Sequence, residues 1–352
     1  MKKSSIAQAV TESYQGIMIF RNTGSFFKPI LRKPPNSVKL FFNPMIRGNK
    51  NRCNDLHKIK TRQNHLRIGF AIYFFAFVIH GCIMTSKDHI IPAIPSAHPE
   101  GTIISGQTGI PVSFESLIRD LSDTRIVYIG ESHTRADHHE IQFKLIQSLA
   151  KKDPEWAVGM EMFDYTYQNI LDQWSDGKLD EKSFLEKSHW YANWKYDFEL
   201  YRNILLYIRE RRLRLLGLNI PFHLPPKIAI GGIESLSPDE KKHLPSKIDT
   251  TDPDHRAYVS DIFKGHQIKG RNDFEYFYLA QCVWEDAMAE RIASGLEGKK
   301  MIVLAGNGHI LRKFGIPDRT FSRTRTPFRT IYLASKKDAA DFSYGDYIWI
   351  TP

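Results

Sequence analysis

The chain reads as an α/β protein: a parallel β-sheet flanked by helices, with a smaller helical subdomain. Three observations predict this. Short apolar runs alternate with stretches of helical periodicity, the pattern of βαβ units. Two of the runs end in a Gly-x-x-His turn, Gly130-Glu131-Ser132-His133 and Gly306-Asn307-Gly308-His309. Elsewhere the strand pattern gives way to two long helical blocks.

The elements follow in chain order. A short extended pair is expected over about 102–111, turning at Gly106-Gln107-Thr108-Gly109. Ser113 is placed to cap a helix over 114–121. Strands are predicted at 126–129, 157–160, 213–218, 301–304 and 330–333, with 347–350 as an edge strand. After the first of these, a helix over 137–149 puts Ile141, Leu145, Ile146 and Leu149 on one face. The first helical block holds segments at 168–174, 181–187 and 198–212, the last with Leu200, Ile204, Leu205 and Ile208 at helical spacing. The second runs over 227–297, broken near Pro238, Pro245 and Pro253, and ends in a long amphipathic helix over 272–296. Insertions of this size, about 164–212 and 225–297, exceed simple crossovers and predict a helical subdomain or lid over the crevice. No internal repeat or low-complexity tract is visible.

The net charge of +10 suggests nucleic acid, but its distribution excludes that class. Residues 1–67 carry 14 Lys/Arg against 2 Asp/Glu, so the remainder is close to neutral. The basic stretch is followed by about a dozen apolar residues, 68–79, and then His80-Gly81-Cys82. A positive flank, a short apolar segment and a small residue at the boundary make an export signal. The run is short for a membrane span, which needs about 20 apolar residues. Ile79-His80-Gly81-Cys82 resembles a bacterial lipobox, which would make Cys82 the lipidated N-terminus of the mature chain. A plain signal peptide or an uncleaved anchor are the alternatives. The organisation expected is a leader over 1–81, a tether over 82–101 and an α/β domain over 102–352. A secretory leader rarely starts so far upstream of its apolar core, and Met45 is an alternative start. With Cys53 in the leader and Cys82 at its boundary, only Cys282 remains, so no intramolecular disulfide is available.

In parallel sheets the strand carboxyl ends form the ligand crevice. Glu131 and His133 lie on one βα turn, Glu161 ends the second strand in Gly159-Met160-Glu161-Met162, and His309 closes the second glycine turn. These four converge if the sheet is parallel. They suit a divalent metal with an open position for water. They suit equally a metal-free proton transfer, with Glu131 as base and a histidine as acid. An isolated turn histidine ordinarily just caps or hydrogen-bonds. Glu285, in the long helix, is either a helix–sheet polar contact or a further acid over the crevice. His138 and His139 are assigned to the start of their helix. Aromatics crowd 163–201, mostly as core, and a tyrosinate can ligate haem iron. Tyr165 and Tyr167 are best placed for that, being closest after Glu161. Arg312, Lys313, Arg319, Arg323, Arg325 and Arg329 read as a solvated loop or as partners for haem propionates, with Arg319 the named candidate.

The ordered set of motifs resembles the ChaN-like family, the haem-uptake branch of the Tiki/TraB superfamily. It comprises Gly130-Glu131-Ser132-His133, Gly159-Met160-Glu161-Met162-Phe163, the segment 190–201 and Leu218-Asn219-Ile220-Pro221. Residues 284–289, Gly306-Asn307-Gly308-His309 and Gly315-Ile316-Pro317-Asp318-Arg319 complete it, over roughly 102–333. The resemblance implies an outer-membrane lipoprotein facing the periplasm, haem bound between two protomers through tyrosine, and an outer-membrane haem receptor as partner. The wider superfamily includes esterases and proteins proposed to be metal-dependent proteases, which carries Glu131, His133, Glu161 and His309 over as candidate site residues. Three functions are therefore on the table: a haem-binding uptake lipoprotein, a metal-dependent hydrolase, and a tethered scaffold with an inert crevice.

Overall fold

Strands buried on both faces read as unbroken apolar runs, and helices must then cover both sides. That is the architecture of the computed structural model, which describes residues 94–153, 155–265 and 272–352. The leader, the lipobox-like segment with Cys82 and most of the tether lie outside the described residues. Eight strands form one sheet: β1 (Ile103–Ser105), β2 (Pro111–Val112), β3 (Ile126–Glu131), β4 (Trp156–Asp164), β5 (Leu215–Asn219), β6 (Lys300–Gly306), β7 (Phe328–Ser335) and β8 (Tyr347–Thr351). Their spatial order is β2-β1-β8-β7-β3-β6-β4-β5. From β8 to β5 every pairing is parallel, while the β1–β2 hairpin adds antiparallel to β8.

The expected edge strand over 347–350 is a correction. β8 lies between β7 and β1, because Ile103 pairs with Trp349 and the hairpin extends the sheet beyond it. The edges are β2 and β5.

Thirteen helices are found among the described residues: α1 (Ile94–Ala97), α2 (Phe114–Ser122), α3 (Ala136–Lys152), α4 (Gln168–Ser175), α5 (Glu181–Lys187), α6 (Trp190–Asn193), α7 (Glu199–Arg211), α8 (Leu224–Gly231), α9 (Pro238–Lys241), α10 (Pro253–Gly265), α11 (Phe274–Gly295), α12 (Asn307–Ile310) and α13 (Ile316–Thr324). Ser113 caps α2 by accepting from the Ser116 N–H. Alternation along the strands sorts the core. Val127, Ile129, Val158 and Met160 pack with α2, α3 and the aromatic block α4–α7. Ile126, Tyr128, Ala157 and Val303 meet Trp284, Met288 and Ile292 of α11 on the other side. The remaining flank of α11 joins α8 and α10 in a separate apolar cluster through Phe277, Tyr278 and Val283.

The amphipathic helix expected over 272–296 is thus corrected. Of the 22 residues of α11, 14 are buried, including Gln281, Glu285 and Asp286. The helix is sandwiched between sheet and helices, so it has almost no solvent face. The basic run expected as a loop likewise contains α13, in which Arg319 is only 6% exposed.

Register brings the site together. β3 pairs with β6 so that Glu131 stands opposite Gly306, and β4 flanks β6 on its other side. The β4–β5 register slips between Met160 and Asp164, leaving two extra residues on β4 just where Glu161 sits. Such bulges re-aim side chains at strand ends.

Candidate functional site

Glu131, His133, Glu161 and His309 do converge, at the carboxyl ends of the adjacent strands β3, β6 and β4, and each is at most 2% exposed. Two glycines make the approach possible. A β-carbon on Gly130 would stand 2.0 Å from Asn307 Oδ1, and one on Gly315 would stand 2.3 Å from the His309 carbonyl oxygen.

The first half of the site is built around Glu131. Its Oε1 accepts from Tyr201 Oη–H at 2.6 Å and lies 2.7 Å from His133 Nδ1. Gln142 Nε2 donates to its Oε2 at 2.8 Å, and His139 Nδ1 is 3.5 Å from the same oxygen. Burial pushes this carboxyl up, but His139, His133 and the Tyr201 hydroxyl outweigh it and hold the pKa at about 2. With Nδ1–H donating to Glu131, His133 Nε2 is left as a buried nitrogen without a hydrogen-bond partner. The ring is wedged between Trp194 and Tyr196, at centroid distances of 4.8 and 5.0 Å. Sequence reasoning gave Glu131 the role of base. In this geometry Glu131 already meets three donors, Tyr201, His133 and Gln142.

The second half joins Glu161, His309 and Glu285. Glu161 Oε2 accepts from the Gly306 N–H at 2.7 Å, while its Oε1 stands 3.5 Å from His309 Nε2. His309 Nδ1 lies 3.2 Å from Glu285 Oε1, with Trp284 edge-on to the ring at 4.5 Å. Burial depresses the His309 pKa, but Glu161 and then Glu285 raise it to about 10. The imidazolium in turn helps hold Glu161 below its usual range against burial. Glu285 Oε2 faces His255 Nε2 at 3.0 Å and Arg319 Nε at 3.4 Å, and Gln281 donates to its Oε1 at 2.6 Å. His255 is raised to about 9, with Glu285 overcoming the effect of burial. Arg319 also pairs with Asp286 and donates to the Asp249 carbonyl at 2.9 Å, and Arg323 reaches Asp286 at 2.7 Å.

The metal expectation finds no support in this arrangement. Among the described residues no group of three or more His, Cys, Asp or Glu side chains stands so as to hold a metal ion. Glu131 is occupied by three hydrogen-bond donors, and His309 stands between the carboxylates of Glu161 and Glu285.

The remaining candidates differ in their surroundings. Tyr165 and Tyr167 form a single 3₁₀ turn directly after β4. Tyr165 Oη is 2.6 Å from His243 Nδ1, and Tyr167 Oη is 2.9 Å from His189 Nδ1. Arg319 is committed to Asp286 and Glu285, so it is not available at the surface for a propionate. His138 does serve its helix start: its Nδ1 accepts from the Ser132 N–H at 2.9 Å, its Nε2 meets Thr351 Oγ1, and burial lowers its pKa to about 3. His139 belongs instead to Glu131. It was legible only as the second histidine of a His138-His139 pair, three residues from Gln142 on one helical face. Tyr201 was legible only as the last residue of the 190–201 motif, and His255 carried no local signal.

A sequence model of the family described as haem-binding uptake, Tiki superfamily, ChaN, matches residues 117–320. Among solved structures, the ChaN of Campylobacter jejuni with cofacially bound haem is similar at 21% identity and a TM-score of 0.58, covering 70% of this chain and 95% of that one. That likeness shows a shared fold. An erythromycin esterase EreC mutant in its open conformation (16% identity, TM-score 0.40, 66% and 77% of the two chains) and the type III effector HopBA1 (16%, 0.39, 67% and 92%) are more distant. No protein of curated function matches the chain in sequence.

Proposed function

Because the chain belongs to the haem-binding uptake (ChaN) family of the Tiki superfamily, we propose that it binds haem and serves haem uptake as an exported, lipid-anchored protein. The family match, which spans both Gly-x-x-His motifs and the tyrosine turn, carries this reading. The donor set after β4 fits the group: two partly buried tyrosines, each with its hydroxyl on a histidine ring nitrogen, offer oxygen ligands of the kind ferric haem accepts. Haem, when bound, supplies a ferric centre that takes a phenolate. The chain's part is to present and orient that oxygen.

The finer parts of the proposal concern place and partners. The basic leader and the segment ending at Cys82 support export and lipidation, with the domain tethered to the periplasmic face of the outer membrane. Haem sharing between two copies and transfer from an outer-membrane receptor complete the reading.

Haemin titration of the full chain tests it, followed by absorbance and by molecular mass. Saturable binding with a Soret band and a shift to dimer mass are expected, and linear, non-saturating absorbance would sink the haem reading. Expression with and without Cys82→Ala, followed by membrane fractionation, tests the anchor. The variant is expected in the soluble fraction, and an unchanged membrane association would reject lipidation at Cys82.

A further inference from the structure

Two large apolar side chains are left to solvent on one small area of the surface. Ile110, between the hairpin turn and β2, is 62% exposed, and Phe342, in the 3₁₀ turn before β8, is 40% exposed. They come from segments far apart in sequence that pack together. A β-carbon on Gly109 would stand 3.1 Å from the Phe342 ring, and the Gly106 N–H donates to the Asp346 carbonyl at 2.8 Å. Asp341, beside Phe342, is paired with Arg312 at 3.0 Å, so its charge is partnered at the edge of the patch. Exposed apolar residues are common on any surface, and the pair by itself identifies no ligand.

The place where the chain enters the domain does. The Ile94 N–H donates to the Ala340 carbonyl at 3.1 Å, and Ile94 is buried with Ile104, Ala340 and Tyr344. The chain therefore joins the domain two residues from Phe342. From Cys82 to Ile94 there are twelve residue steps, which span at most about 40 Å. A domain of this length is itself about 45 Å across. A lipid on Cys82 thus holds the face around Ala340 nearest the bilayer, on a reach too short to pass round to the opposite face. Two side chains would hold a free domain to a membrane only weakly. The anchor makes their contact intramolecular, at a high effective concentration.

This face also lies at the far end of the sheet from the candidate site. Ser105 pairs with Tyr347, the first residue of β8, so the hairpin turn stands at the amino ends of the parallel strands. Glu131, Glu161, His309 and the tyrosine turn after β4 stand at the carboxyl ends.

We propose that Ile110 and Phe342 form a membrane-docking patch that enters the headgroup layer of the bilayer holding the lipid on Cys82. The proposal rests on the lipid-anchor reading above and adds an orientation to it: the crevice at the strand carboxyl ends is directed away from the membrane.

The test uses the full lipidated chain in vesicles of phosphatidylethanolamine and phosphatidylglycerol, compared with the Cys82→Ala chain in solution. Hydrogen–deuterium exchange needs no further substitution. Amides in 106–112 and 341–345 are expected to exchange more slowly on the vesicles, and those of 189–193, which lead to the Trp194 ring against His133, to be unchanged. A fluorophore on Ile110→Cys or Phe342→Cys, in a Cys53→Ser background with Cys282 buried, reads the same face. On the vesicles it is expected to shift to the blue and to be quenched by acrylamide about threefold less, since docked side chains sit about 5–10 Å into the headgroup boundary. The same label on Tyr191→Cys is expected to keep its solution spectrum. A vesicle-bound chain whose positions 110 and 342 are as open to water as 191 overturns the docking and leaves the anchor standing. A chain that stays off the vesicles overturns the anchor and the docking together. Protection of 110 and 342 in the Cys82→Ala chain without vesicles, at dimer mass, gives the face to a second copy and overturns the membrane assignment.

Discussion

Glu131 and Glu285 are both fully buried and both held as carboxylates, yet their partners differ in kind. Glu131 is met by a phenol, an amide and imidazoles. Glu285 is met by an arginine and by two histidines raised to about 9 and 10. The His139 and His133 imidazoles and the Tyr201 hydroxyl hold the first carboxylate against burial, whereas the second has a permanent cation, Arg319, beside its two histidines. The contrast teaches that burial alone does not fix how a carboxylate responds to mutation or pH. The charge of its partners does.

The largest effect is expected where a cation is removed. Arg319→Met leaves Glu285 and Asp286 buried with one partner fewer, and such a change costs about 3–5 kcal/mol. Urea denaturation should show the lower midpoint, and a wild-type-like midpoint would mean that His255, His309 and Arg323 carry the charge balance without Arg319. Tyr201→Phe, on the other side of the comparison, removes one donor to Glu131 and is expected to cost about 1–2 kcal/mol in the same assay. If it matched Arg319→Met, the distinction between the two halves would fail.

Titration separates the halves next. His255 and His309 have raised pKa values, so their contribution is complete below about 6.5 and is lost as pH rises through 9 and 10. Glu131 is depressed to about 2, so its contribution is complete above about 4.5 and is lost as pH falls toward 2. Melting temperatures across this range should fall at both ends. In His309→Gln the alkaline fall should soften while the acid fall that Glu131 contributes remains. An alkaline limb unchanged by that substitution would remove His309 from the account.

The smallest effect is expected at the surface. Lys178 approaches Asp176 at 2.6 Å, as near as any donor approaches Glu131, but both side chains are more than half exposed. Lys178→Ala should leave the melting temperature unchanged, because water screens the pair. A clear drop would show that distance rather than burial sets the cost.

Much of the scaffold was legible because strands buried on both faces leave continuous apolar runs. Residues 126–129, 157–160 and 301–304 are such runs, and each lies inside an observed strand. The glycine turns placed Glu131, His133 and His309 just past strand ends, and the parallel pairing of β3 with β6 brought them side by side. The strand over 347–350 was legible as a strand but not as an interior one, since its neighbour comes from the far end of the domain. The helix carrying Glu285 was read as amphipathic, with Glu285 an inward polar contact or an acid over the crevice, because its counter-charges lie in distant segments. His255 and Arg319, which neutralise it, are supplied by other helices.

The sequence by itself therefore determined the alternation of strands and helices, the two turns that project histidines, and the family to which the chain belongs. Tertiary structure alone decided which charges face each other. Periodicity records whether a side chain turns inward, but not what it meets there. His309 between Glu161 and Glu285, His133 against Trp194 and Tyr196, and Tyr165 on His243 are all consequences of contacts between segments distant in the chain.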